Sequence, residues 1–254
     1  MKIVKHPKLH DFVDEHLYDD QSPEAIAGRL QHNREILPDV SKDSIRRYIK
    51  SPYGRQVEHH RNKRKRRRKN SHRKKVFWQN RRNISERPKA INERERVGDA
   101  EGDFIVSGKS GSGILLVIVD RKLRTSFVEQ ILKPTTAAVT RACMRINKRY
   151  REWRTMTTDN DILMQHHKVL EKKLNITIYF CNPYSSWEKG SVENTNKYIR
   201  RDIPKGSDIA QYSRYFIRKL EDKLNRRMMK CLKFRTPTEA LHRHRKPKKR
   251  RKRL

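Results

Sequence analysis

The sequence predicts an α/β protein in which a mixed five-stranded sheet with flanking helices follows a small all-α unit. Two short helices with clear start signals lie within the first 58 residues. Three short apolar runs follow one another after Val97, and helical and extended patterns then alternate as far as Phe180. Consecutive strands form an antiparallel meander, whereas strands that alternate with helices form parallel crossovers. The later part of the chain therefore predicts a sheet with helices on both faces.

The predicted all-α unit contains two capped helices. Ser22 can cap a helix that begins at Pro23 and runs through SPEAIAGRL, because serine is a good N-cap and proline suits the first helical position. Ser41 can cap a second helix that ends near Lys50, and the stretch from Leu9 to Leu17 would supply a packing helix. This arrangement predicts a helix-turn-helix unit over residues 1–58.

The second capped helix has one apolar face and one basic face. Ile45 and Ile49 would face the preceding helix, and the opposite face could enter a DNA major groove. Its DNA-binding candidates are Lys42, Arg46, Arg47 and Lys50. On these residues alone, an ordinary helical hairpin with solvated charges remains an alternative.

Positive charge dominates the composition. The chain has 254 residues, with 64 Lys and Arg against 29 Asp and Glu, a formal charge of +35. With 33% apolar residues a single large core is excluded. A surface with this much positive charge binds polyphosphates through counterion release. Nucleic acid is therefore the expected partner.

Two basic blocks account for part of this excess. His59 to Lys75 holds 11 basic residues, and His242 to Leu254 holds nine, with no acid in either block. Blocks of like charge repel themselves, so we predict a basic linker over 59–96 and a disordered basic tail over 242–254, on either side of a core domain at 97–241. The linker's DNA-binding candidates are Arg64, Arg66 and Arg67.

Other classes of protein find little support. The longest apolar run has six residues, whereas a membrane span needs about 20, so we expect no membrane partner and a cytoplasmic location. The three cysteines show neither a C-x-x-C motif nor zinc-finger spacing with histidine, which argues against a disulfide framework or structural zinc.

The core domain shows a meander followed by crossovers. Apolar, β-branched runs separated by turn signals predict its strands, and apolar residues at helical spacing predict its helices. The predicted strands are 104–106, 114–119, 126–132, 155–158 and 176–180, and the predicted helices between them are 135–150 and 162–174. This order is typical of a ribonuclease H-like fold.

Three acids could converge at one edge of the sheet in such a fold. Asp103 lies in the first strand, Asp159 follows the fourth strand, and Glu193 lies in the helix after the fifth strand. Hard Mg²⁺ ions prefer carboxylate oxygens, and two such ions about 3.5 to 4 Å apart can clamp the attacking and leaving oxygens of a phosphodiester. Asp120 is expected to shape a hairpin turn rather than to bind metal. Glu101 shares a strand face with Asp103.

The sequence around these acids carries a family resemblance. The segments read EGDFIV at 101–106, TTDN at 157–160 and FCNPYSSWEKGSVENTNKYIR at 180–200. The second Asp and the Glu are 193 − 159 = 34 positions apart, which leaves 33 residues between them. From about Leu9 to Leu241 the chain resembles the DDE transposases of bacterial insertion sequences, in particular insertion-sequence family thirty, with an integrase-like catalytic core.

This resemblance implies an enzyme that cleaves and transfers DNA strands at terminal inverted repeats. Asp103, Asp159 and Glu193 would be its catalytic, metal-binding triad, with Mg²⁺ as cofactor and Mn²⁺ as a possible substitute. Its partners would be double-stranded DNA, at element ends and at the target, and further copies of the chain in the nucleoid of a prokaryote. Positions that match the surrounding motif are supporting residues Asn160, Tyr184, Trp187, Gly190, Asn194 and Asn196, and DNA-binding residues Lys189, Lys197 and Arg200.

Two departures from the family pattern favour an alternative. Relatives usually begin with an additional helix-turn-helix unit, and a glycine usually follows T-D-N where this chain has Asp161. A truncated, inactive transposase remnant that binds DNA or acts as a repressor is therefore the second hypothesis. A basic RNA-binding protein would explain the charge but not the three acids in their motifs.

Overall fold

The computed structural model describes residues 1–32, 36–62, 81–182 and 185–246. The chain forms two compact units: Met1–Asn70 together with Arg226–Leu254, and Ser71–Asn225. In the described part of the chain, no helix is long and apolar enough to cross a membrane.

Both units contain α-helices. In chain order they are α1 (Lys2–Lys5), α2 (Pro7–Tyr18), α3 (Pro23–His32), α4 (Lys42–Ile49), α5 (Arg55–Asn62), α6 (Lys89–Asn92), α7 (Thr136–Arg149), α8 (His167–Leu174), α9 (Gly190–Asp202), α10 (Arg214–Asn225) and α11 (Pro237–Arg245).

The second unit is built on one mixed sheet. Its strands are β1 (Arg82–Asn83), β2 (Asp99–Val106), β3 (Ile114–Asp120), β4 (Ser126–Ile131), β5 (Thr155–Thr158) and β6 (Thr177–Phe180). They lie in the order β1-β6-β5-β2-β3-β4, in which β2, β3 and β4 are antiparallel and the remaining neighbours are parallel. The predicted meander and crossovers are confirmed, and the fold is ribonuclease H-like.

Both faces of this sheet are covered, which explains why β3 is apolar along its whole length up to Asp120. One apolar cluster joins alternate residues of β3, such as Leu116, to α7 and α8. The other cluster joins the intervening residues, such as Leu115, to α9 and α10. The site helix α9 therefore packs directly on the central strands.

Asp120 shapes the turn after β3, as predicted. Its carboxylate accepts hydrogen bonds from the backbone N–H of Gly98, at 2.9 Å, and of Lys122, at 2.8 Å, and from the Tyr150 hydroxyl. These partners account for a carboxylate that is completely buried.

The outer strand β4 is covered by side chains of α10. The Glu221 carboxylate accepts from the N–H of Val128 at 2.6 Å. The Asn225 side chain accepts from the N–H of Ser126 at 2.8 Å and donates to its carbonyl at 2.7 Å. Backbone groups at the edge of the sheet thus find partners in the same unit.

The predicted linker is partly wrong. Residues 59–62 belong to helix α5, and residues 81–96 include β1 and α6. β1 is a sixth strand that pairs in parallel with β6, with Arg82 opposite Tyr179 and Asn83 opposite Phe180. Basic residues 63–75, with Arg64, Arg66 and Arg67, lie outside the described residues.

The first unit contains the two predicted capped helices. The Ser22 hydroxyl accepts from the N–H of Ala25, and the Ser41 hydroxyl accepts from the N–H of Ser44, both at 3.1 Å. Ile45 is fully buried in a cluster with residues of α2 and α3. The basic residues predicted to face DNA, Lys42, Arg46, Arg47 and Lys50, are all exposed.

The C-terminal segment completes this first unit, contrary to the predicted domain boundary at 241. Arg29 of α3 forms a bidentate ion pair with Glu239 of α11, with distances of 2.7 and 2.8 Å. The N–H of Met228 donates to the Gln21 side chain at 3.2 Å. Residues 226–241 therefore belong with the N-terminal helices, and α11 extends to Arg245, into the predicted tail; residues 247–254 lie outside the described residues.

A close contact between Gly28 and Phe234 tests this arrangement. A Cβ atom at Gly28 would lie 2.2 Å from the Phe234 ring. Gly28→Ala should destabilise the protein, because overpacking of about 1–3 kcal/mol exceeds the helix-propensity gain of about 1 kcal/mol. In a Phe234→Ala background the same substitution should stabilise it. Urea unfolding of the four proteins measures this coupling, and additive effects would contradict the packing.

Candidate active site

Two neighbouring parallel strands bring two carboxylates together. Asp103 lies within β2, and Asp159 directly follows β5, the parallel neighbour of β2. Together with Glu193 of α9 they line a cleft of about 140 Å³. A single water needs about 10–15 Å³, so the cleft has room for several small groups. The three predicted acids therefore share one cavity.

A lysine side chain lies between the two aspartates. The Lys189 ammonium lies 2.9 Å from Asp103 Oδ1 and 3.4 Å from Asp159 Oδ2, and it donates to the Gly102 carbonyl at 3.4 Å. Its side chain is only 9% exposed. The prediction placed Lys189 at the DNA surface. The structure instead places its charge inside the cleft, because the two carboxylates compensate the burial of the ammonium.

Burial and the neighbouring charges shift the pKa of both Lys189 and Asp103. Burial lowers the pKa of Lys189, but the carboxylates of Asp103 and Asp159 raise it by more, so the pKa lies above its ordinary value. Burial raises the pKa of Asp103; Lys189 opposes this rise and Asp159 adds to it. Asn196, a predicted supporting residue, donates from its amide to the other oxygen of Asp103 at 2.6 Å.

Glu193 has a different partner. Its carboxylate pairs with Lys197, one turn along α9, at 3.1 Å, and both side chains are exposed. Within the described ranges, no three His, Cys, Asp or Glu side chains are already grouped as a metal site. Lys197, a predicted DNA-binding residue, is thus also a neighbour of the third acid.

The donor set nevertheless fits a divalent cation. Three carboxylates line one cleft, and carboxylate oxygens are the ligands that Mg²⁺ prefers. Two of them, Asp103 and Asp159, already have the positively charged Lys189 ammonium between them. The cleft therefore has the charge and the chemistry of a cation site.

The helix that carries Glu193 is held by the strand that carries Asp103. Glu101, two residues before Asp103, accepts from the N–H groups of Ser191 at 2.7 Å and Val192 at 3.0 Å, at the start of α9. Its other oxygen pairs with Arg121 at 2.9 Å, and both side chains are buried. A carboxylate at a helix N-terminus satisfies free N–H groups and the helix dipole. The alternation of side chains along the strand predicts that Glu101 shares a face with Asp103, but it does not predict this contact with α9.

The residues after Asp159 are held by turn contacts. The Asn160 amide donates to the Cys181 carbonyl at 3.1 Å and accepts from Arg81, which links the ends of β5 and β6. Asp161 caps the next turn by accepting from the N–H of Leu163 at 2.9 Å. Its φ of −78° is accessible to any L-residue. This position therefore does not require the glycine of the family motif.

Burial makes the cysteine in the cleft unreactive. Cys181 lines the cavity, and burial raises its pKa to about 12. The thiol stays protonated at neutral pH and is a poor nucleophile or metal ligand.

The remaining predicted residues divide between solvent and structural contacts. Trp187 is 74% exposed, Asn194 is exposed, and nothing lies within 4 Å of the Cβ position of Gly190. Arg200, predicted to bind DNA, donates to the carbonyls of Val106 at 3.2 Å and Pro204 at 3.3 Å. Tyr184 lies outside the described residues.

The strand order and the helices on both faces of the sheet define an integrase-like core. No protein-family model matches the chain. The chain is 34% identical over 244 residues to the transposase of insertion sequence element IS4351 from Bacteroides fragilis, covering 94% of this chain and 74% of that protein. It is 31% identical over 270 residues to the InsI transposase of IS30A from Escherichia coli, covering 95% and 69%. The chain belongs to the IS30 family of insertion-sequence transposases.

The catalytic core domain of BIV integrase aligns with a TM-score of 0.44 and 21% identity, over 58% of this chain and 95% of that one.

Neutralising Glu101 tests its role at α9. Glu101→Gln should lower the free energy of unfolding by about 3–5 kcal/mol, because the buried Arg121 loses its counter-charge and a neutral amide oxygen replaces the charged acceptor at the start of α9. Glu93→Gln is the matched control, since the exposed pair of Glu93 with Lys89 at 3.5 Å should contribute less than about 1 kcal/mol. Urea unfolding measures both, and similar losses would refute the anchoring role.

Proposed function

We propose that this transposase cleaves DNA strands at the ends of its insertion sequence and transfers them to a target, with a divalent metal ion as cofactor. The observation that carries the proposal is the convergence of Asp103, Asp159 and Glu193 on one cleft, where the Lys189 ammonium lies between the two aspartates. Such a cleft suits phosphodiester chemistry, in which negative charge builds up on oxygen atoms.

Asp103, Asp159 and Glu193 would hold Mg²⁺, or Mn²⁺ in its place. When bound, such ions stabilise the charge that develops on the attacking and leaving oxygens of a phosphodiester. The chain itself orients the ligands: Asn196 fixes one oxygen of Asp103, and Glu101 fixes the start of the helix that carries Glu193. Burial raises the pKa of the Cys181 thiol to about 12, so this side chain is a poor nucleophile.

The exposed face of α4 is the proposed reader of the terminal inverted repeats. Ser41 caps this helix, and Ile45 and Tyr48 fix it against the rest of the unit. Its basic residues Arg46 and Arg47 are both exposed. Side chains on a helix that lies in the major groove contact the bases and the phosphates beside them. Double-stranded DNA, at the element ends and at the target, is therefore the proposed partner, bound by several copies of the chain within the nucleoid.

The geometry around Asp161 favours an active enzyme over a remnant. A substitution for a required glycine would strain the backbone or leave a carboxylate pointing into the metal site. Asp161 instead has an ordinary φ and uses its carboxylate to cap a turn.

Asp159→Asn should abolish metal-dependent nicking and joining of a duplex that carries the element's terminal repeat. The substitution keeps the shape of the side chain but removes a charged ligand, so a loss of at least about 10³-fold is expected. Asp161→Gly, one residue away, should leave the rate within about threefold of the natural chain. Gel analysis of end-labelled duplexes with Mg²⁺ measures both. A natural chain that binds DNA but does not nick, beside an active Asp161→Gly variant, would support the remnant.

The role of α4 predicts a change in salt dependence. Arg46→Ala with Arg47→Ala should weaken binding to the terminal repeat and reduce the slope of log K against log salt by nearly 2, since each lost phosphate contact contributes about 0.9. Arg141→Ala with Lys148→Ala removes two exposed charges from α7 and is the matched control. Fluorescence anisotropy at several salt concentrations measures the slopes. Equal slopes for the two double variants would contradict the assignment.

A further inference from the structure

We propose that Lys189 and a divalent metal ion are mutually exclusive occupants of the Asp103–Asp159 pair, and that DNA favours the metal by binding the displaced lysine. This inference rests on the proposed function, because it assumes that the two aspartates are metal ligands. It makes Lys189 a positioning residue that couples the binding of metal to the binding of DNA.

The first step is that the lysine already fills a cation site. Its ammonium donates hydrogen bonds to Asp103 Oδ1 at 2.9 Å and to the Gly102 carbonyl at 3.4 Å, and it lies 3.4 Å from Asp159 Oδ2. Two of the three N–H donors of the ammonium thus have acceptors, and two carboxylate charges lie next to it. Hydrogen bonds and charge both stabilise the lysine in this position.

The second step is that the metal and the ammonium cannot share this position. A Mg²⁺ ion requires its oxygen ligands at about 2.0–2.1 Å, so an ion shared by the carboxylates of Asp103 and Asp159 would have to lie between them, where the ammonium now lies. Two cations at such a separation would also repel each other strongly in a buried cleft. Metal binding therefore requires Lys189 to leave.

The third step is that the side chain can leave while the backbone stays. Lys189 ends the short turn Ser186–Lys189, and α9 begins at the next residue, Gly190. The N–H groups of Ser191 and Val192 remain bound to Glu101, which holds the start of α9 independently of the lysine. Four rotatable side-chain bonds allow the ammonium to move out of the cleft without moving the helix.

The fourth step is that the displaced ammonium needs a new counter-charge. A backbone phosphate of DNA at the mouth of the cleft supplies it. A ligand that binds the displaced state shifts the equilibrium towards that state, and the coupling is reciprocal. DNA should therefore raise the affinity for metal, and metal should raise the affinity for DNA.

Chemical labelling of the natural chain tests the displacement directly. An amine-acetylating reagent and peptide mass spectrometry give the labelling rate of Lys189, with exposed Lys172 as the internal reference. Titration with Mn²⁺, followed by the electron paramagnetic resonance signal of the free ion, establishes saturation. The rate at Lys189 should rise at least about tenfold at saturation. It should fall again when duplex DNA is added, while Lys172 changes little with the metal. A rate that stays low at saturating Mn²⁺ would overturn the proposal.

Metal binding to variants tests the competition. Lys189→Met keeps the length of the side chain and removes its charge, and it should bind Mn²⁺ at least about tenfold more tightly than the natural chain without DNA. It should also lose most of the gain in affinity that DNA gives the natural chain. Lys172→Met is the control for net charge and should change neither value.

The variants also separate this inference from the proposed function. Asp103→Asn and Asp159→Asn should lose Mn²⁺ binding if the aspartates are ligands; if they keep it, the proposed metal site itself fails. If they lose it but Lys189→Met binds Mn²⁺ no more tightly than the natural chain, only the competition is refuted. If Lys189→Met does not fold, the labelling of the natural chain decides alone.

Discussion

Glu101 occupies a position at which several parts of the second unit meet. Its carboxylate is buried between strand β2, the start of helix α9 and Arg121, in the turn after β3. Burial of a carboxylate costs several kcal/mol unless charges and hydrogen bonds compensate it. Here a guanidinium and two N–H groups at a helix N-terminus provide that compensation. Because side chains alternate along a strand, Asp103 lies on the same face two residues later, so one strand both anchors α9 and supplies the first acid of the cleft.

The electrostatics of the cleft oppose those of the chain as a whole. The chain carries a formal charge of +35, yet its three candidate ligands are acids on one cavity. Each of these acids is paired with a lysine. Asp103 and Asp159 are paired with Lys189, and Glu193 is paired with Lys197. The ammonium groups of these lysines thus balance the negative charge of the three carboxylates.

The parts of the fold that sequence analysis predicted well depend on local signals. The hydroxyls of Ser22 and Ser41 cap the helices that they were expected to cap, and the apolar run at 114–119 is the central strand β3. Strand β1 was missed because it has two residues and pairs with Tyr179 and Phe180, nearly one hundred positions away. A strand so short has no periodicity to detect.

Long-range pairing explains the other differences. Arg29 and Glu239 are 210 positions apart, and neither neighbouring sequence indicates that they meet. The position of the Lys189 side chain could not be predicted either. Lys189 precedes α9, so it does not follow the helical spacing that links Glu193 to Lys197. In the candidate site, the motif located the three acids and period-two alternation pointed to Glu101. The catalytic and DNA-binding roles of these residues remain predictions.

The cover that α10 places over β4 restricts how copies of this chain can join. An exposed strand edge is a template for pairing with another chain, and proteins assemble by extending a sheet across such an edge. The backbone groups of Ser126 and the N–H of Val128 are already bonded to Asn225 and Glu221. A second protomer cannot add a strand at this border without first pulling α10 away. In the proposed assembly on DNA, contacts between copies at this border would therefore involve side chains rather than an added strand.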